Sequence, residues 1–421
     1  MTIIESTVSP EVSKSAQEAI RYDFFTPEVA ADANPLFHKL RAEDPVHWSP
    51  QMRGWVLTRY DDITQALKDP RLSAASFVGA IDMLPEEQRK ALEPLRASVT
   101  MWMGHTITED HLRMQRLLKK YFTPANVEKL RPRAQAITDE LIDAVAPRGE
   151  VEVISELAYP LPARVIAEML GVPSEDRDLL PRWSRDLTAI FLPSTVETLL
   201  QSQKSVLEMS EYMRGVVAER RRAPKDDLIS MFIAAQADGG IRNDEEILSN
   251  CVLLLFAGHE TTATLISRGL FYLLEHQGEF ARLLESPDLL PNAIEEILRY
   301  GGPAQTVTRL AMAPLEIHGK EIKANQLLYL ALGAGNRDPE HYPDPDKFDI
   351  GRQTSRHLAF GQGSFYCLGA ALARMEAQVC FSTMLRRLPG IRWGSKPPVW
   401  HSMGPFARAL VSLPVSFDVV T

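Results

Sequence analysis

The residues with the clearest chemistry lie between Phe360 and Gly369, in the stretch FGQGSFYCLG. A lone cysteine, Cys367, sits there in a glycine-rich loop. A helical pattern follows at once, with Leu368, Ala371, Leu372, Met375 and Val379 three or four residues apart. Cys367 therefore stands where a loop feeds a helix N-terminus, and backbone N–H groups and the positive end of the helix dipole favour a thiolate there. Gly361, Gly363 and Gly369 let backbone come close to something flat and large. One thiolate on such a loop suits a single axial bond to a haem iron. A cysteine taken at random is more often a buried structural thiol. Cys251 and Cys380, inside apolar helical patterns, are read that way. At Cys367 the pattern F-G-x-G-x-x-x-C-x-G is long and fully matched, unlike a lone G-x-G, and family resemblance decides between ligand and structural thiol. It is not a dinucleotide fingerprint, because no G-x-G-x-x-G follows a strand.

A second constellation lies between Asn243 and His276. Asn243 with Glu246 three residues later reads as a helix start. The helix then runs for some thirty residues, roughly 45 Å at 1.5 Å per residue. Its middle, VLLLFAGHETTATL, is apolar on both flanks yet holds Gly258, Glu260, Thr261 and Thr262. A carboxylate buried beside an alcohol is costly unless something uses it. Gly258 lowers helix propensity and admits a planar group. Thr261 can bond the carbonyl of Ala257 one turn back, loosening the helix into a groove for dioxygen and water. On spacing alone, a polar break satisfied within the core is the commoner outcome.

Together, the cysteine loop and A-G-x-E-T-T in a long helix resemble the cytochrome P-450 family. The matches run in family order from the helix at His111 to Cys367, so the resemblance covers nearly the whole chain. It implies a mainly α fold with small β-sheets, a single triangular-prism domain over residues 21–421 behind a flexible leader, 1–20. Haem b would lie between the long helix and the helix after Cys367. The resemblance makes Cys367 the iron ligand and sets Ala257, Gly258, Phe360, Gly361, Phe365 and Gly369 against the haem. It gives Glu260 and Thr261 the delivery of protons. His111, Gln115, Arg309 and His357 fall at propionate positions.

Two regions depart from the family pattern. Glu296 and Arg299 form an E-x-x-R that alone would be a surface pair and here matches the family's core ion pair. Its third partner usually lies in P-E-R-F, which reads Pro345-Asp346-Lys347-Phe348. Lysine lacks the planar fork, so the triad is expected to be weaker or to use another partner. The position two before the cysteine, usually His or Arg, is Phe365. The early H-x-x-x-R reads His111 and Gln115, and glutamine carries no charge. The propionates then depend on His111, Arg309 and His357, with Arg113 or Arg116 available to compensate. Looser haem retention or altered propionate geometry is expected.

The activity implied is that of a haem-thiolate monooxygenase. It would hydroxylate or epoxidise an apolar terpenoid, steroid, fatty acid or polyketide. The chain holds no flavin or nicotinamide domain, so electrons would come from NAD(P)H through a separate ferredoxin-type carrier. Alternatives are a peroxygenase, against which the intact Glu260–Thr261 pair argues, and an oxidative coupling enzyme; a non-catalytic haem sensor comes last. Residues 73–105 read as irregular but too apolar for a solvated loop, so Phe77, Val78 and Trp102 are expected to wall an apolar pocket. Ile190, Phe191, Val252, Phe256, Ala304, Val307 and Phe406 complete it. On the helix from His111 to Phe122, Arg113, Arg116, Lys119 and Lys120 fall close to one face. They read equally as a solvated face or as a docking surface for an acidic carrier.

The totals agree. Hydrophobic residues at 45% and charged residues at 24% describe a globular protein, and a net charge of −9 argues against general nucleic-acid binding. Three cysteines without paired spacing fit a reducing compartment. The polar opening segment is neither signal peptide nor anchor, and no apolar run reaches the ~18–20 residues of a membrane span. A cytoplasmic monomer is expected. Length alone predicts two or three domains; the resemblance reduces these to one. Helices are expected at 34–41, 60–68, 126–145, 152–171, 195–222 and 291–300. A hairpin is expected at 46–58, and small β-regions at 306–332, with Gly319 at a turn, and 390–420.

Overall fold

Asn243 starts the longest helix: its backbone is extended (φ −160°) and its Oδ1 accepts the N–H of Glu246 at 2.9 Å. Asp244, Glu245 and Glu246 fill the first turn, where the dipole favours acids. The helix Asp244–Glu275 then runs for 32 residues. It is apolar nearly all round and buried accordingly, as expected of a core helix. Pro160–Leu170, Val196–Arg222, Leu290–Gly301 and Ala370–Arg387 all pack on it. Gly269 makes one crossing possible, because a Cβ there would stand 2.7 Å from the Phe381 ring and 3.1 Å from Ile297. Cys251 and Cys380 are buried in this core, as read from the sequence.

The computed structural model describes residues 21–74, 78, 81–82, 84–104, 108–173, 176, 183, 186–191, 194–353, 356–402 and 408–419. The leader 1–20 lies outside them. Among the described residues, no helix is long and apolar enough to cross a membrane. Helices at Asn34–Glu43, Tyr60–Lys68, Val196–Arg222 and Leu290–Gly301 stand where the sequence places them.

The stretch 73–105 is a correction. It is not irregular throughout but holds helices Glu86–Ala91 and Glu93–Thr100, each with acids in its first turn. The expected helix 126–145 divides into Pro124–Glu128 and Arg131–Val145. The expected helix 152–171 opens with a π-helical turn, Ile154–Ala158, before Pro160–Leu170. Helices Leu228–Ala237 and Gln277–Glu285 add to the expected set.

The largest sheet runs in the order Val46–Ser49, Gly54–Leu57, Leu327–Leu330, Val307–Ala311, Leu72–Ser73. The first two strands form the expected hairpin, with Trp48 opposite Trp55. Gly54–Leu57 then pairs in parallel with Leu327–Leu330. His318 and Gly319, both at positive φ (50° and 73°), turn the small hairpin Leu315–Ile322.

Glu296 and Arg299 are wholly buried and paired through two bonds, of 2.7 and 2.8 Å. Arg299 also donates to the carbonyls of Asn336, Pro345 and Lys347. The third partner is Arg352, whose Nε lies 3.3 Å from Glu296 Oε1. Lys347 gives the cluster only its carbonyl, since its ammonium is 65% exposed. A fork that meets several oxygens at once suits this place, and a point charge does not. The network ties the segment 336–352 to the core and so fixes where the cysteine loop begins.

Candidate active site

The cysteine loop is shaped by its glycines. Gly361 (φ 66°, ψ −166°) occupies a region essentially closed to other residues. Gly363 (φ 72°) leaves room for a Cβ only 2.9 Å from the carbonyl of Leu67. Cys367 N donates to Phe360 O at 2.9 Å and closes the loop. The helix Ala370–Arg387 follows. The thiol of Cys367 is exposed, yet burial among surrounding protein pushes its pKa up, against the Gly369 N–H and the charge of Arg374. Both hold if the sulfur opens on a recess within the fold. Such a thiol favours ionisation when a metal cation replaces its proton.

The central helix has its own open patch. Ala257 and Thr261, one turn apart, are exposed in the middle of a buried helix. Thr261 Oγ1 donates to Ala257 O at 2.9 Å, the back-bond expected from the sequence. Gly258 lets the neighbouring helix in, because a Cβ there would stand 3.0 Å from Ile166. Glu260 Oε2 accepts the hydroxyl of Tyr159 at 2.7 Å. His259, 1% exposed, meets the same Tyr159 ring edge-on at 4.9 Å, and burial pulls its pKa down to about 4.

Arg309 is 6% exposed, and burial pulls its pKa down to about 10. Among the described residues its guanidinium makes one hydrogen bond, to Thr308 O at 2.9 Å, and lies over the Phe365 ring at 5.1 Å. A buried cation without a carboxylate is a place for an anion to bind. His111 faces Met103 O at 2.7 Å through Nδ1 and Ser364 O at 2.8 Å through Nε2. Gln115 donates to the same Ser364 carbonyl at 2.6 Å. From the central helix, Asn250 accepts Met103 N–H at 3.0 Å and donates to Met101 O at 2.9 Å. That bond steadies the carbonyl behind His111.

His357 has other partners. Its Nδ1 accepts Ala359 N–H at 3.2 Å and its Nε2 lies 3.1 Å from Glu295. Arg374 clasps the same carboxylate at 2.6 and 2.8 Å. Burial would raise the Glu295 pKa, but Arg374 and His357 hold it at about 2.

Arg113 is a second correction. It does not share the exposed face of its helix, because it turns inward to pair with Glu246 and Asp110. It is therefore unavailable both to a docking carrier and to a propionate. Arg116, Lys119 and Lys120 remain exposed, beside the exposed Leu112.

Of the expected pocket wall, Ala304 and Val307 are half-buried and Val78 packs on the main core. Ile190 and Phe256 are 3% and 8% exposed. Trp102 and Val252 are fully enclosed in the core. Phe77 and Phe406 lie outside the described residues, as does the Phe191 side chain. Sequence reasoning missed Tyr159, Asn250 and Arg352. Only Arg352, five residues after Lys347, left a signal: a fork-bearing side chain close to where the family places one.

The comparisons follow the same lines. The family model described as cytochrome P-450 matches residues 182–389. The chain is 38% identical over 403 residues to cytochrome P-450 107B1 of Saccharopolyspora erythraea, covering 93% of this chain and 96% of that one. It is 36% identical over 370 residues to the 6-deoxyerythronolide B hydroxylase of the same organism, covering 86% and 90%. It is similar in structure to P-450BioI solved with a hexadec-9Z-enoic acid ligated acyl carrier protein, with TM-score 0.86 and 34% identity, covering 93% and 100%.

Proposed function

The chain belongs to the cytochrome P-450 family and is a haem-thiolate monooxygenase; from that premise we propose that it hydroxylates or epoxidises an apolar polyketide- or fatty-acyl-like molecule. The substrate class rests on the relatives, one a hydroxylase named for 6-deoxyerythronolide B and one solved with an acyl carrier protein. One observation carries the use of dioxygen. Thr261 stands on the only exposed turn in the middle third of the central helix, with Glu260 next to it.

Haem, when bound, supplies dioxygen activation and C–H oxidation, and the protein supplies orientation and electrostatics. Cys367 Sγ would hold its iron. Arg309, over the Phe365 ring, would hold a propionate, and His111, stacked on the same ring, would brace that ring. Gln115 and His111 both fix the Ser364 carbonyl. Thr261 Oγ1, its own proton donated to Ala257 O, presents an accepting oxygen to the open face. Glu260 carries protons toward it from the side of Tyr159. Overall, one oxygen atom enters the substrate and the other leaves as water, with two electrons and two protons taken up.

A ferredoxin-type carrier, fed by NAD(P)H, would dock on Arg116, Lys119 and Lys120. Their helix reaches the cysteine loop through His111, Gln115 and Ser364. A cytoplasmic, reducing compartment fits the cysteine usage.

The test is an optical spectrum of the reduced, CO-bound protein, followed by titration of apolar acyl and macrolactone ligands into the ferric form. A strongly red-shifted Soret band and a low-to-high-spin shift are expected. A histidine-like CO band from well-folded protein would rule out Cys367 as the ligand. Steroid ligands alone shifting the spin state would replace the substrate class.

A further inference from the structure

We propose that Tyr159 is a positioning residue of the proton relay: its hydroxyl holds the Glu260 carboxylate, and efficient use of dioxygen depends on that hold. The inference rests on reading Glu260 as the proton carrier.

The geometry is specific. The hydroxyl donates to Oε2 at 2.7 Å, the short contact expected of a bond to a carboxylate. The ring that carries it is fixed on two sides. His259 stands edge-on to it at 4.9 Å and 87°, itself 1% exposed. On the other side, the chain reaches Tyr159 through the π-helical turn Ile154–Ala158, closed by Tyr159 N–H donating to Ile154 O at 2.9 Å. A π turn inserts one residue into a helical run and re-aims the side chains beyond it. Without it, the side chain at 159 would point elsewhere.

Glu260 and Thr261 are neighbours in sequence and so stand about 100° apart around the helix. Thr261 is on the open face, and the Glu260 carboxylate is turned to Tyr159. The hold on Oε2 fixes how the carboxylate is turned relative to the Thr261 hydroxyl. Tyr159 therefore sets how often, and from which side, a proton arrives.

The experiment compares Tyr159→Phe and Glu260→Gln with the unaltered holoenzyme, driven either by dioxygen with a ferredoxin-type carrier, its flavin reductase and NADPH or by hydrogen peroxide. Peroxide brings its own oxygen and protons and bypasses the relay. Tyr159→Phe should keep the CO band, the ligand-induced spin shift and the melting temperature. Its yield of product per NADPH should fall about tenfold, the weight of one hydrogen bond to a charged group. Its solvent isotope effect should rise, while peroxide-driven turnover stays unchanged. Glu260→Asp, which withdraws the carboxylate from the hydroxyl, should show the same split. An equal fall in both reactions would make Tyr159 merely structural. If Glu260→Gln uncouples and Tyr159→Phe does not, the inference on Tyr159 fails alone. If Glu260→Gln leaves coupling intact, the reading of Glu260 fails with it.

Discussion

The Arg309 guanidinium lies 5.1 Å from the centre of the Phe365 ring, and His111 stacks on the same ring at 4.0 Å. Phe365 thus holds a buried cation by its ring face, in a place where the family pattern expects a second cation. A ring orients Arg309 but gives nothing to an anion. We expect Phe365→His to slow haem transfer to apomyoglobin about tenfold, the worth of one charge-assisted hydrogen bond, and Arg309→Ala to speed it by a similar factor. Equal transfer rates for Phe365→His and the unaltered protein would remove the ring as the weak point.

The buried cluster Glu296–Arg299–Arg352 ranks three substitutions. Glu296→Ala leaves two enclosed guanidinium groups without their carboxylate and should cost ~3–5 kcal/mol. Arg352→Ala, losing the longer 3.3 Å contact, should cost less. Lys347→Ala, whose ammonium is mostly in water, should stay within ~0.5 kcal/mol. Urea midpoints followed by loss of the CO-bound band would give the order. A large effect at Lys347 would return the third place to it.

Glu376 makes stability depend on pH. It is 0% exposed, and among the described residues neither of its oxygens completes a hydrogen bond. Burial pushes its pKa up to about 8, against the pull of the nearby Thr262 hydroxyl. The unfolded chain ionises this group near 4.5, so between that value and 8 the folded state holds the extra proton. Its contribution is therefore present below pH 4.5, is lost as pH rises through that window, and levels off above 8. Glu376→Gln should match the unaltered protein near pH 4.5 and exceed it in melting temperature at pH 8. Parallel curves across the window would mean that Glu376 is already ionised in the fold.

Charge reversal on the helix Thr108–Lys119 and its exit should separate two roles. Reversing Arg116, Lys119 and Lys120 together should weaken the carrier and flatten the salt dependence of its association, with no change in melting temperature. Arg113→Ala should do the opposite, because it breaks the inward pair with Glu246. Stopped-flow reduction at two ionic strengths and a thermal scan would distinguish them.

Local signals were readable in the sequence wherever they were sufficient. Asn243 and the acids after it mark the central helix start to the residue. Tyr60–Lys68 was readable from Asp61 and Asp62 in its first turn. The glycines around Cys367 announced a loop that only glycine can trace. What was not readable depends on partners far along the chain. The inward turn of Arg113 is set by Glu246, 133 residues away, and the hold on Glu260 by Tyr159, 101 residues away. The helices of 86–100 were hidden for another reason. Proline punctuates this stretch without interrupting its helices: Pro85 stands as the N-cap of one and Pro94 in the first turn of the other.

The parallel pairing of Gly54–Leu57 with Leu327–Leu330 also bears on how the protein is made. Trp55 and Gln326, joined across it at 2.9 Å, are 271 residues apart. At roughly 5–20 residues per second on the ribosome, the early hairpin waits about 15 to 50 s for its neighbour. Throughout that time Val56 and Leu57, both at 0% exposure in the finished sheet, stand at an unprotected edge. The nascent chain is thus at its most vulnerable to aggregation well before the cysteine loop has been synthesised, and its yield in a cell should depend on the chaperones that meet that hairpin as it emerges.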